Sequence, residues 1–151
     1  MTSQKSGFSG SPSNALIHLN GVNQILVVGN NLLLWNAATH DTLNECVLTG
    51  ATRYFTPKKA GYYHLHLAVH YASLTVGKTI TVFLLSTVYG GIARSEMQIA
   101  AISDHTLSCA IDRYLTPQHQ ITAYATINNI VGVPFVDGTD IHTYLAIHRT
   151  H

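Results

Sequence analysis

His64 and His66, two imidazoles separated by one residue, have the spacing that could do metal chemistry. On an extended chain the side chains at i and i+2 point the same way, and neighbouring imidazoles suit Zn, Fe or Mn. A catalytic site of that kind also wants a carboxylate close behind, and residues 68–76 contain none. Three copies of one histidine around a symmetry axis are a second way for these rings to hold a metal. The plainer reading makes both rings hydrogen-bonded histidines of a subunit interface, with no metal and no cofactor.

Other reactive groups are sparse. No nucleophile elbow, glycine-rich phosphate loop or Cys-x-x-Cys pair occurs in the chain, so the common routes to acyl, phosphoryl and thiol chemistry lack their motifs. Cys46 and Cys109 lack metal-ligand spacing and read as buried free thiols in preference to a disulfide. Asp104, Asp112, Asp137 and Asp140 fall in or near expected loops and read as turn residues. Trp35 and Tyr89 read as packing groups. The chain is not expected to be an enzyme.

Composition narrows the partners. Only 10% of the 151 residues are charged, against roughly 25% in soluble domains, so much of the surface is neutral or covered by other subunits. The eight Lys and Arg residues are scattered and the net charge is +1. Nucleic acid binding needs clustered cations, so none is expected. No apolar run approaches the roughly 20 residues that span a bilayer, and residues 1–14 lack the apolar centre of a secretory signal. That Gly- and Ser-rich stretch reads as a flexible N-terminal arm ahead of one domain, residues 15–151.

From residue 15 onward the pattern is strands and turns. Candidate strands are 15–19, 25–28, 32–35, 42–48, 53–56, 62–72, 79–87, 92–101, 106–111, 120–128 and 141–148, separated by signals such as Asn20-Gly21, Gly90-Gly91 and Asp137-Gly138. Many short strands at this spacing predict an all-β sandwich or barrel. Alternation assigns the faces. In the long strand Tyr63, Leu65, Leu67, Val69 and Tyr71 form a core face, opposed by Tyr62, His64, His66, Ala68 and His70. The last strand sets Ile141, Thr143, Leu145 and Ile147 against His142, Tyr144, Ala146 and His148, and Leu107, Cys109 and Ile111 oppose Thr106, Ser108 and Ala110. Three strands thus share an aliphatic inner face and an outer face of His, Tyr, Thr, Ser and Ala.

The run from Phe55 through Pro57 and Gly61 to Tyr63 resembles the C1q-like family, marked by an aromatic residue, five residues, Gly, one residue and Tyr. Leu65 stands where that family usually has Phe. Pro57 ends one strand, Gly61 permits the tight entry into the next, and the aromatic pair fills the space between sheets. The resemblance covers about residues 32–148 and lacks the family's collagen-like stalk. It implies a C1q/TNF-like antiparallel two-sheet jelly roll that trimerises through the sheet holding the first, last and long middle strands. Tyr62, His64, His66, His70, His142, Tyr144 and His148 would then form the trimer interface. The same resemblance makes Ca ligation by the loop aspartates an alternative to a turn role. His-X-His also occurs in cupin metalloenzymes, a remote alternative here.

Two functions follow. The first is a structural virion component, such as a phage capsid decoration or appendage protein, partnered by itself and by the major capsid protein. Lys5, Phe8 and Pro12 of the arm would contact the shell. The second is an extracellular C1q-like recognition or receptor-binding trimer. In either, crowded interface histidines should charge against one another in acid and loosen the assembly below about pH 6.5, the ordinary imidazole value.

Overall fold

The computed structural model describes residues 13–102, 104–129, 132–139 and 142–151. Lys5, Phe8, Pro12, Asp140 and Ile141 lie outside the described residues. Among the described residues the chain forms strands and no helix. In order these are β1 (Asn14–His18), β2 (Gln24–Ile25), β3 (Gly29–Leu32), β4 (Ala37–Asp41), β5 (Cys46–Val47), β6 (Tyr54–Phe55) and β7 (Gly61–Ala72). There follow β8 (Thr79–Ser86), β9 (Gly90–Gln98), β10 (His105–Leu115), β11 (Ile121–Ile127), β12 (Phe135–Val136) and β13 (Tyr144–Arg149).

Seven strands form one sheet in the order β2-β12-β7-β13-β1-β4, with β10 paired to the free side of β7. Six form the other, β5-β6-β11-β8-β9, with β3 also paired to β11. The ladders are antiparallel throughout. This is the all-β antiparallel two-sheet sandwich that the strand pattern implies.

Alternation sorts the core as expected. Tyr63, Leu65, Leu67, Val69 and Tyr71 of β7 are fully buried, and they face Ile80, Val82 and Leu84 of β8 and Ile121, Ala123, Ala125 and Ile127 of β11. Each buried Leu, Ile or Val contributes about 1.5–3 kcal/mol by leaving water. The Tyr71 hydroxyl satisfies its polar end by donating to the Thr81 carbonyl of the opposite sheet at 2.9 Å. Phe55 and Tyr63 meet edge to face at 5.6 Å between centroids, which is the aromatic pair of the motif. Gly61 is required where it stands: a Cβ there would lie 2.5 Å from the His151 carbonyl oxygen.

Several boundaries differ from the sequence reading. Residues 42–45 turn instead of extending, because the Asp41 carboxylate accepts the Glu45 and Cys46 amides at 2.9 Å each and Asn44 takes a φ of 56°. The strand expected at 32–35 lies earlier, as β3. Pairing with β1 makes Ala37–Asp41 a strand that its own composition does not favour. At the other end β10 runs to Leu115, so Asp112 is a strand residue and not a loop residue.

The boundary between residues 14 and 15 expected from composition falls inside β1. Ser13 is buried, its hydroxyl donates to the Glu45 carboxylate, and its carbonyl accepts the Arg149 amide at 2.9 Å. The opposite carboxylate oxygen of Glu45 takes the Lys58 amide at 2.6 Å. One buried acid thus joins the start of the domain to the turn that precedes β7.

Candidate self-association face

Register places the outward side chains of the seven-stranded sheet in rows. Asp112, His64, His148 and Asn14 stand in one row across β10, β7, β13 and β1. The next holds Ala110, His66, Ala146, Leu16 and His40, and the next Ser108, Ala68, Tyr144, His18 and Ala37. Tyr114 beside Tyr62 and Thr106 beside His70 close the two ends. These rows contain no Lys, Arg or Glu and a single Asp.

Small residues and rings alternate across the surface, so it is flat and aromatic. Tyr62 meets Tyr114 edge to face at 5.4 Å and lies 5.7 Å from the His151 ring. His66 meets Tyr144 edge to face at 5.5 Å, and His70 lies 5.3 Å from His142. Tyr62 remains 49% and Tyr114 43% exposed on the single chain. Large rings half out of water on a face whose rows hold one carboxylate and no Lys, Arg or Glu form a surface that gains from being covered.

The seven residues expected at an interface are therefore brought onto one side of one sheet, with His142 just ahead of β13. Their hydrogen bonds were not visible in the sequence. His64 Nδ1 lies 2.7 Å from Asp112 Oδ1, and His70 Nδ1 lies 2.8 Å from the Thr106 hydroxyl. Had the period-two alternation been followed past Ile111, Asp112 would have landed on the outer face opposite His64. His64 and His66 point the same way, but each is engaged separately, with Asp112 and with Tyr144. No three His, Cys, Asp or Glu side chains among the described residues gather around one point.

The loop aspartates have local work. Asp137 Oδ1 accepts the Thr139 amide at 2.8 Å and the Thr139 hydroxyl at 2.7 Å. Burial pushes the Asp137 carboxyl up, but these hydrogen bonds and the nearby His70 and His142 rings outweigh it, leaving the group below its ordinary value. Asp104 Oδ1 accepts the Ser73 amide at 3.3 Å. Trp35 is buried, while Tyr89 packs its ring on His119 at 4.7 Å and carries the Arg113 guanidinium 4.4 Å from its centroid. Cys46 and Cys109 are free thiols, half-buried and buried.

No protein-family model and no curated protein sequence matches the chain. Solved structures do. Murine APRIL at pH 5.0 is similar at a TM-score of 0.70 and 12% identity, over 92% of this chain and 99% of that one. The Eiger TNF of S. frugiperda is similar at 0.64 and 16% identity, over 93% and 94%. At these identities the likeness is one of fold: the chain is a TNF-like jelly roll.

Proposed function

We propose that this chain is a non-enzymatic structural module that assembles as a homotrimer through the outer face of its seven-stranded sheet. The observation that carries the reading is the row pattern of that face, where Tyr62, His64, His66, His70, His142, Tyr144 and His148 crowd a surface with no Lys or Arg. A face so poor in charge costs little to desolvate, and its rings supply contact area with few rotatable bonds. Sedimentation of the purified chain should give a trimer. Ala146→Glu, at the centre of the face, should give a folded monomer. A wild-type monomer at micromolar concentration, or a trimer that survives Ala146→Glu, would overturn the reading.

Within it, the virion role is the more specific form. The low charge content and the Gly- and Ser-rich first stretch support trimers that dock on a shell while Lys5, Phe8 and Pro12 hold neighbouring shell subunits. Deleting residues 1–12 keeps Ser13 and its buried bonds, so the trimer should persist while co-sedimentation with the major capsid protein is lost. The second form, an extracellular recognition trimer, is favoured by the Phe55–Tyr63 motif. It predicts that the same deletion matters little and that loop substitutions control binding.

A further inference from the structure

We propose that the outer face of the six-stranded sheet carries a binding site for a neutral sugar ring, the terminal hexose of a glycan, seated on Phe83 and bounded by Asn30, Gly91 and Arg94. A hollow of about 560 Å³ opens there over β8 and β9, within the roughly 300–1,000 Å³ of small-molecule sites. It lies on the side of the sandwich away from Tyr62, His66 and Tyr144, so it goes beyond the proposed assembly and stays open whether or not the chain trimerises. On a trimer three copies would share one glycan-bearing surface and gain by avidity.

Alternation along β8 builds the platform. Ile80, Val82 and Leu84 turn into the core, while Phe83 and Leu85 stay half-buried on the other side. Phe83 stands between Tyr124 of β11 and Arg94 of β9 in one cross-strand row. Its ring stacks on Tyr124 at 4.9 Å between centroids and 8° between planes. That contact uses one face of the Phe83 ring and leaves the other turned toward β9. Gly91 lies opposite Leu85, next to the register shift in the β8–β9 ladder. A Cβ built on Gly91 meets nothing within 4 Å. The hollow is therefore open space above a glycine, beside a free aromatic face.

The rim supplies planar polar groups. Arg94 Nη2 donates to Glu96 Oε2 at 2.8 Å, and the same oxygen accepts the Thr81 hydroxyl at 3.2 Å. This bond uses one of the five guanidinium donors. Asn30, exposed on the opposite side of the hollow, offers an amide with two donors and an acceptor. A pyranose has an apolar face whose C–H hydrogens, polarised by the ring oxygens, match the negative face of a phenyl ring. Its edge carries neighbouring hydroxyls that both donate and accept, which planar side chains can bind in pairs. An aromatic ligand would use Phe83 but leave the rim unpaired. An anion would meet the Glu96 carboxylate together with Arg94, so the paired charges favour a neutral ligand.

The whole chain, isotope-labelled, is titrated with the methyl glycosides of glucose, galactose, mannose and N-acetylglucosamine while its amide resonances are followed by NMR. At least one should give saturable shifts centred on Phe83, Gly91 and Arg94, with millimolar affinity. Gly91→Leu should abolish them, because the backbone there is not left-handed and the new side chain grows into the hollow without a clash. Phe83→Ala should abolish them too, and Arg94→Ala should weaken binding about tenfold, as loss of hydrogen bonds to a charged group does. Far-UV circular dichroism checks each variant, and Gly91→Leu carries the test if Phe83→Ala fails to fold. Ala146→Glu should keep the shifts, so failure of the trimer and failure of this site read separately. No saturable shift with any of the four sugars overturns the site, as do shifts that survive Gly91→Leu in a folded chain. A stronger response to N-acetylneuraminic acid or inorganic phosphate would mark an anion site and overturn it equally.

Discussion

Glu45 is the residue on which the chain's entry into the sandwich depends. Its buried carboxylate accepts from the buried Ser13 hydroxyl and from the part-buried Lys58 amide. Glu45→Ala leaves the buried Ser13 hydroxyl unsatisfied and removes the Lys58 contact, and should cost about 2 kcal/mol, since an orphaned buried donor is worth about 1–3. Urea titration at constant slope measures it. The thiols set the alkaline limit of stability. Burial pushes the Cys109 thiol up to about 11, and burial together with Asp41 and Glu45 pushes Cys46 up further. A thiol kept neutral by the fold but ionising near pH 8.5 when unfolded contributes its full stability below that pH and loses it as pH rises toward 11. The urea midpoint should therefore fall between about pH 8 and about pH 10.5, and fall less in Cys109→Ala. Buried Tyr63 and Tyr71, both raised by burial, act in the same direction.

Two glycines test how the elements meet. At Gly61, where β7 begins, an added Cβ meets the His151 carbonyl, which accepts the Tyr62 amide, and the long Arg149 side chain. At Gly138 it meets the Val22 backbone more closely still, and no side chain stands between them. Gly138→Ala should thus lower the melting temperature more than Gly61→Ala does, by differential scanning calorimetry on both variants. The same contrast between local pattern and distant partner decides what was readable from sequence. The long strand β7, the last strand β13 and the first half of β10 alternate well enough that their inner and outer faces could be assigned without coordinates, whereas β8 holds the unbroken apolar run Val82 to Leu85. β4, with Ala37, Ala38 and Asp41, has little strand preference of its own and is extended because β1 lies beside it. β12 is two residues long and leaves no period to detect. The end of β10 was hidden by Arg113, a charged residue at an inward position. The structure tolerates it there because the guanidinium lies over the Tyr89 ring at the rim. The outer-face rows were legible as a list of residues, but the Asp112–His64 and Thr106–His70 pairs required knowing that β10 lies against β7.

At the scale of the whole molecule, the outer face holds the proposed assembly and also its response to acid. His64, His66 and His148 lie near its centre, with His18 and His40 in the same rows, His70 and His142 at one end, and Tyr62, Tyr114, Tyr144 and His151 as further titratable neighbours. Asp112 is the carboxylate in these rows, and its contact with His64 can offset one positive charge per protomer. His66 and His148 have no carboxylate among their row neighbours. Protonating them, with the other histidines of the face, would place like charges on every copy of a surface that holds no Lys or Arg, and repulsion between desolvated charges opposes association. The sign is therefore loss of assembly as pH falls. The trimer should sediment intact at about pH 7.5 and dissociate at about pH 5. His66→Gln combined with His148→Gln removes two central rings that have no carboxylate partner while keeping hydrogen-bonding side chains, and that variant should keep more trimer at the lower pH. If both proteins remain trimeric in acid, the rings face water and not their symmetry mates. If both dissociate, the acid sensitivity resides outside these two histidines.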